Sequence, residues 1–225
     1  MARTGFFHHI GTFLLFAATI LLIVTDISAP VVADISLLRV SLDSSSSSSG
    51  RQPVLTFGTF GWCARNVMAS GDDHCTRARI GYDPVAALEE YASSSSLDLS
   101  SAAQTSSRAL TRVMVLHPVA TGLAFVAFVL AAGAGFVGSL LASLGALLTF
   151  VVVAVAVICD FVGLAIVRNA VNDNTDSSGA SARWGSAAWT TLAAAVCCLL
   201  ASVVLFFTCC SARMHRGREA RGVKY

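Results

Sequence analysis

Four apolar stretches constrain this chain more than any other feature: approximately Ile10 to Val32, Val115 to Ala134, Gly138 to Val167 and Ala187 to Cys210. A helix of about 20 apolar residues crosses the roughly 30 Å hydrocarbon core of a bilayer, so each stretch is long enough. The whole chain is 55% hydrophobic and 12% charged, against about 45–50% and about 25% in ordinary soluble domains. These features exclude a soluble protein and predict an all-α transmembrane four-helix bundle, with spans at 10–32, 115–134, 138–167 and 187–210.

Charge distribution sets the expected topology. The segment after the last span, 211–225, carries Arg213, Arg216, Arg218, Arg221 and Lys224 against Glu219. By the positive-inside rule that end is cytoplasmic, and four spans then return the N-terminus to the same side. Residues 33–112 form a large outer loop whose seven Arg are balanced by eight Asp and Glu. The second outer loop, 168–186, is balanced as well, with Arg168 and Arg183 against Asp173 and Asp176. The turn near Gly133 to Gly138 carries no charge and reads as a tight helical hairpin. A competing reading takes Arg3, the following apolar run and Val31-Val32-Ala33 as a secretory signal cleaved before Asp34. The length of that run, together with Asp26 and Pro30, favours a retained span.

Seven cysteines are present, and only Cys63 and Cys75 lie outside the apolar stretches. In an oxidising compartment they are the natural disulfide pair. They belong to a Gly/aromatic cassette within 54–84, FGTFGWCARNVMASGDDHCTRARIGYD from Phe57 to Asp83. Val54 to Trp62 is rich in β-formers and reads as one strand, with Gly58 and Gly61 permitting a bulge or close approach. Gly71-Asp72-Asp73 signals a turn, His74 to Ile80 a return strand, and Pro84 to Tyr91 one or two helical turns. The expected result is a small disulfide-linked extracellular β unit. The serine-rich tracts Ser44 to Ser49 and Ser93 to Ser107 flank it as flexible linkers. Adjacent Asp72, Asp73, His74 and Cys75 do not converge on one ion, and Cys63 with His74 is no nucleophile pair when Cys63 is oxidised. No metal, cofactor or enzymatic activity is expected.

Phe57, Gly58, Gly61, Trp62, Cys63, Cys75, Gly81, Tyr82 and Asp83, in the first outer loop of a four-span chain, resemble the fungal PalI/Sur family. More distantly the pattern is similar to that of claudins, in which a Trp precedes two loop cysteines. The family resemblance implies a multi-pass plasma-membrane protein that assists an ambient-pH signalling complex or organises cortical membrane domains. PalI-type regulators often carry long cytoplasmic tails, whereas this tail has about 15 residues. That departure favours a minimal scaffold or assembly factor; the alternative reading is a claudin-like channel or barrier component.

Within the spans, Asp26, His117 and Asp160 are polar side chains in apolar surroundings. A carboxylate at a span centre costs about 2.5–3.5 kcal/mol on insertion scales, yet all three fall toward the outer helix ends, where they form one candidate polar cluster. Its bland reading is interhelical hydrogen bonding; its sharper one is a proton-responsive contact, His having an unperturbed pKa near neutrality. Small residues recur at Ala127, Ala131 and Gly135 and at Ala134, Gly138, Ala142 and Ala146, a pattern that lets helix backbones approach closely. General bundle packing and a homo-oligomer face both fit it. Cys209 and Cys210 meet the basic tail in a setting for S-palmitoylation, and equally one for packing. His8 and His9 read as interfacial, and Trp184 and Trp189 as membrane-interface anchors. The expected partners are the lipid bilayer and other membrane proteins, not nucleic acid.

Overall fold

A computed structural model describes residues 6–42, 52–67, 72–91, 105, 109, 111–133, 136–173 and 180–222. The serine tract 44–49, most of that at 93–107, Gly71, Ala134 and Gly135 lie outside the described residues. Helices α1 (Phe6–Asp26), α2 (Pro84–Tyr91), α3 (Leu116–Ala132), α4 (Phe136–Asp173) and α5 (Ser186–Gly222) are interleaved with five short strands. These are β1 (Leu38–Ser41), β2 (Val54–Phe57), β3 (Trp62–Arg65), β4 (His74–Cys75) and β5 (Ser181–Trp184). Among the described residues, four helices are long and apolar enough to cross a membrane. The protein is therefore a four-helix membrane bundle with a small, disulfide-linked antiparallel sheet.

Its contacts divide into two compact units. One, built from helices in its described residues, comprises Met1–Leu22, Val119–Ala154 and Ala193–Tyr225; the other, carrying the sheet, comprises Ile23–Pro118 and Val155–Leu192. In the helical unit the buried cluster is built from Ala127, Ala131, Ala142, Ala146 and Ala201 around Leu15 and Leu205. A Cβ on Gly145 would lie 3.2 Å from that of Ala127, so the absent side chain is what lets α3 and α4 pack. Many of the large residues of these helices, among them Phe13, Leu144 and Phe207, are exposed, as lipid-facing side chains are. Two polar contacts tie the unit: His8 Nε2 lies 3.1 Å from the Ala131 carbonyl, and Ser143 Oγ donates to the Ser202 carbonyl at 3.1 Å.

In the sheet unit the strand order is β4-β3-β2-β1-β5, every pair antiparallel. β1 shows the alternation of a half-buried strand: Leu38 and Val40 are buried while Arg39 is exposed. Leu38, Leu55 and Phe57 face a core shared with Val85 and Leu88 of α2 and with Leu164 and Val167 of α4. Asp83 caps α2, its Oδ1 accepting from the Val85 and Ala86 amides at 3.1 and 3.2 Å, and Pro84 stands at the first helical position, where its missing N–H costs nothing.

The single strand expected over Val54 to Trp62 is broken into β2 and β3. Gly58 to Gly61 makes the reversal between them, closed by the Gly58 amide donating to the Gly61 carbonyl at 2.8 Å. The return strand is shorter than expected, His74 and Cys75 alone, and pairs with β3 rather than with β2. Two further strands, β1 and β5, complete the sheet from distant parts of the chain. β5 is an edge strand, and its outward backbone is occupied: the Ala182 amide donates to Asn172 Oδ1 at 2.8 Å, and Asn172 Nδ2 donates to the Ala182 carbonyl at 3.3 Å. The Asn side chain stands in for a further strand and blunts the edge.

Candidate functional site

The cassette residues converge on the connection between α1 and β1. Cys63 and Cys75 face each other across β3 and β4 and are joined in a disulfide. A Cβ on Gly58 would collide with the backbone of Ala29, and one on Gly61 would meet Thr76 Oγ1 at 2.6 Å and Pro30 at 3.1 Å. Glycine at both positions allows the β2–β3 turn to seat against Ala29 and Pro30. Thr59 completes the seat, its amide donating to Ser28 Oγ at 3.0 Å and its hydroxyl to the Thr25 carbonyl at 3.0 Å.

Phe57 is fully buried, and Trp62 is nearly so, packed against His74 and Tyr91 with ring centroids 6.0 and 5.4 Å away. Gly81 adopts a φ of +72°, a left-handed conformation that other residues reach at a cost. That turn aims Tyr82 inward, where its hydroxyl donates to the Gly58 carbonyl at 2.7 Å and its own carbonyl accepts from Thr111 Oγ1 at 2.7 Å. Burial first, and then the charge of Asp160, push the Tyr82 hydroxyl well above its ordinary range, so it remains a donor. Spacing alone gave no sign that Tyr82 and Gly58 are partners.

Beneath the cassette, His117 and Asp160 are both buried, with His117 Nε2 3.0 Å from Asp160 Oδ2. The approach is close but poorly aligned as a hydrogen bond. The other ring nitrogen, Nδ1, lies 3.2 Å from the Met114 carbonyl. That carbonyl also accepts from the His117 amide at 3.1 Å, and Pro118, four residues on, has no N–H to compete for it. Both nitrogens thus face oxygen acceptors, and satisfying both takes two protons on the pair. Asp26, the last residue of α1, is near enough for its charge to act on His117. Thr25, one residue earlier, adds hydroxyl contacts of 3.1 and 3.2 Å to Thr190 and Thr191.

The remaining sequence candidates are placed as follows. Cys209 is buried within α5, and the side chain of Cys210 lies outside the described residues. Ala127, Ala131, Ala142 and Ala146 pack within the helical unit itself. Gly185 emerges as a residue that sequence reasoning missed: a Cβ there would collide with Ser36, and its amide donates to the Leu37 carbonyl at 2.8 Å. Its position directly before α5 was the available signal.

Four spanning helices, a disulfide-linked sheet and a buried His–carboxylate pair define a multi-pass membrane protein. The sequence profile of the SUR7/PalI family matches residues 7–205, and the chain belongs to that family, which is not a known family of enzymes. No curated protein matches the chain.

Proposed function

We propose that this SUR7/PalI protein is a non-enzymatic plasma-membrane scaffold or assembly factor, serving ambient-pH signalling or cortical membrane-domain organisation. Its sheet faces the cell exterior and both termini are cytoplasmic. The basic residues of 211–225 support that orientation, as does the disulfide, which belongs to an oxidising compartment.

The observation that carries the reading is the use made of the cassette. Gly58, Gly61, Gly81 and Tyr82 are spent on seating the turn against Ala29 and Pro30 and on the hydrogen bond within it. They build a rigid platform around the disulfide. The buried His117–Asp160 pair supports a structural or proton-responsive role over a conducting one, because its two side chains face each other inside the protein. Proximity labelling in intact cells tests the scaffold. The wild-type chain should mark a defined set of membrane neighbours, and the Cys63→Ser/Cys75→Ser variant should lose that set. Ion flux through vesicles reconstituted with the purified protein would instead establish the channel reading.

A further inference from the structure

The two edges of the sheet are finished differently. At β5 the Asn172 side chain occupies the outward backbone of Ala182, whereas the β4 edge has no such cover among the described residues. The Thr76 amide donates to the Trp62 carbonyl at 3.0 Å, so Thr76 turns its backbone toward β3. Residues of an antiparallel strand alternate in this respect, and Cys75, one position earlier, turns its amide and carbonyl away from β3. Its Cα lies 4.0 Å from that of Cys63, the close spacing of an antiparallel pair that exchanges no backbone bonds. Cys75 is exposed, and among the described residues its outward amide and carbonyl meet no partner. By the same alternation Asp73 and Arg77 flank Cys75 on this edge and share its face of the sheet.

The two flanking side chains are exposed and opposite in charge. Asp73 Oδ2 lies 3.1 Å from Arg65 Nε, a guanidinium that Asp34 also holds. Arg77 has no carboxylate among the described residues. A charge on an edge strand ordinarily keeps other strands away, because a strand coming alongside leaves that charge unmatched or opposed. A second copy of β4 is different. Laid antiparallel with Cys75 opposite Cys75, it brings Asp73 of each copy opposite Arg77 of the other, and the two-fold symmetry makes the match twice. Opposite charges facing each other across strands are favourable where like charges repel.

We propose that β4 is a self-complementary edge through which two copies of this chain pair, Cys75 against Cys75 and Asp73 against Arg77, so that their sheets become one. The charges fix the register, and the outward backbone of Cys75 supplies the hydrogen bonds. The contact is small beside a standard interface of about 1,600 Å², so the pairing is reversible and set by the concentration of the chain. A strand of another protein fits this edge only if it carries the same pattern of charges; a second copy carries it by construction.

Sedimentation of the full chain in mild detergent, over a range of protein concentration, tests this. Wild type should dimerise. Arg77→Asp places a carboxylate opposite Asp73 and should weaken the dimer roughly tenfold, as should Asp73→Arg, which places a guanidinium opposite Arg77. Mixed in equal amounts, the two variants regain both matches and should form a mixed dimer about as strongly as wild type. That recovery separates lost pairing from lost folding, since a misfolded chain is not rescued by another. Arg183→Asp, a reversal at the opposite edge, should dimerise as wild type does. The proposal is overturned by a wild type that stays monomeric at every concentration, which would leave the edge to a different protein. A dimer indifferent to both reversals overturns it too, as does a mixture of the weakened variants that fails to recover.

Discussion

The sheet unit and the helical unit solve packing with side chains of opposite size. Around the sheet, Leu38, Leu55, Phe57, Tyr82 and Leu88 are turned inward and fully buried. In the helical unit the inward residues are mostly alanines, and Phe13, Leu144 and Phe207 point out. The difference follows from the solvent. Against water, burying a large apolar side chain stabilises by about 1.5–3 kcal/mol. Against lipid, hiding a leucine gains little, so close backbone approach and a few interhelical hydrogen bonds do the work. Polar groups divide in the same way, with the His117–Asp160 pair, the Thr25 contacts and the disulfide all in the sheet unit.

The largest expected effect comes from splitting the buried pair. His117→Phe leaves Asp160 uncompensated and should cost about 3–5 kcal/mol, whereas His117→Phe with Asp160→Leu should recover most of it. A double-mutant cycle on unfolding in detergent measures this, and a small single-mutant loss would mean that the sheet unit does not depend on its polar core. Removing the disulfide with Cys63→Ser/Cys75→Ser should lower stability by about 3 kcal/mol, the figure for a loop of this length in the chain-entropy model. Reductant should mimic the effect in wild type and not in the variant.

In the helical unit the corresponding probe is size. Gly145→Leu should cost about 1–3 kcal/mol through overpacking against Ala127. Gly122→Leu, where a Cβ would meet nothing within 4 Å, should cost nothing; equal effects at the two positions would break the small-residue account.

The smallest effect concerns Tyr82. Tyr82→Phe leaves the Gly58 carbonyl without its donor and should cost about 1–2 kcal/mol at neutral pH. In the unfolded chain the phenol ionises near the usual value of about 10, while in the native protein burial and Asp160 keep it protonated beyond that. Above about pH 10 the native state therefore holds more protons, and stability falls as pH rises. The decline should be shallower in Tyr82→Phe, as alkaline unfolding curves of the two proteins would show.

Reading the residues locally went furthest where the cause is local. Apolar runs report spans directly, and elimination picked Cys63 and Cys75 because the other cysteines sit in apolar stretches. The cassette was legible as a β unit, but its strand boundaries were not. Gly58 to Gly61 looks like strand interior until Ala29 and Pro30 are seen against it. β1 and β5 escaped notice because four-residue strands carry little signal without the partners that pair with them.

What the sequence by itself determined is the class and its staple: four helices long enough for a bilayer, and one disulfide in a Gly/aromatic cassette. Hydropathy and residue type act over neighbouring positions, so no distant contact is needed to read them. Tertiary structure alone decided that Leu38–Ser41 and Ser181–Trp184 lie side by side and that His117 meets Asp160. Each depends on which faces of distant segments are brought together, and that is fixed only when the whole chain packs.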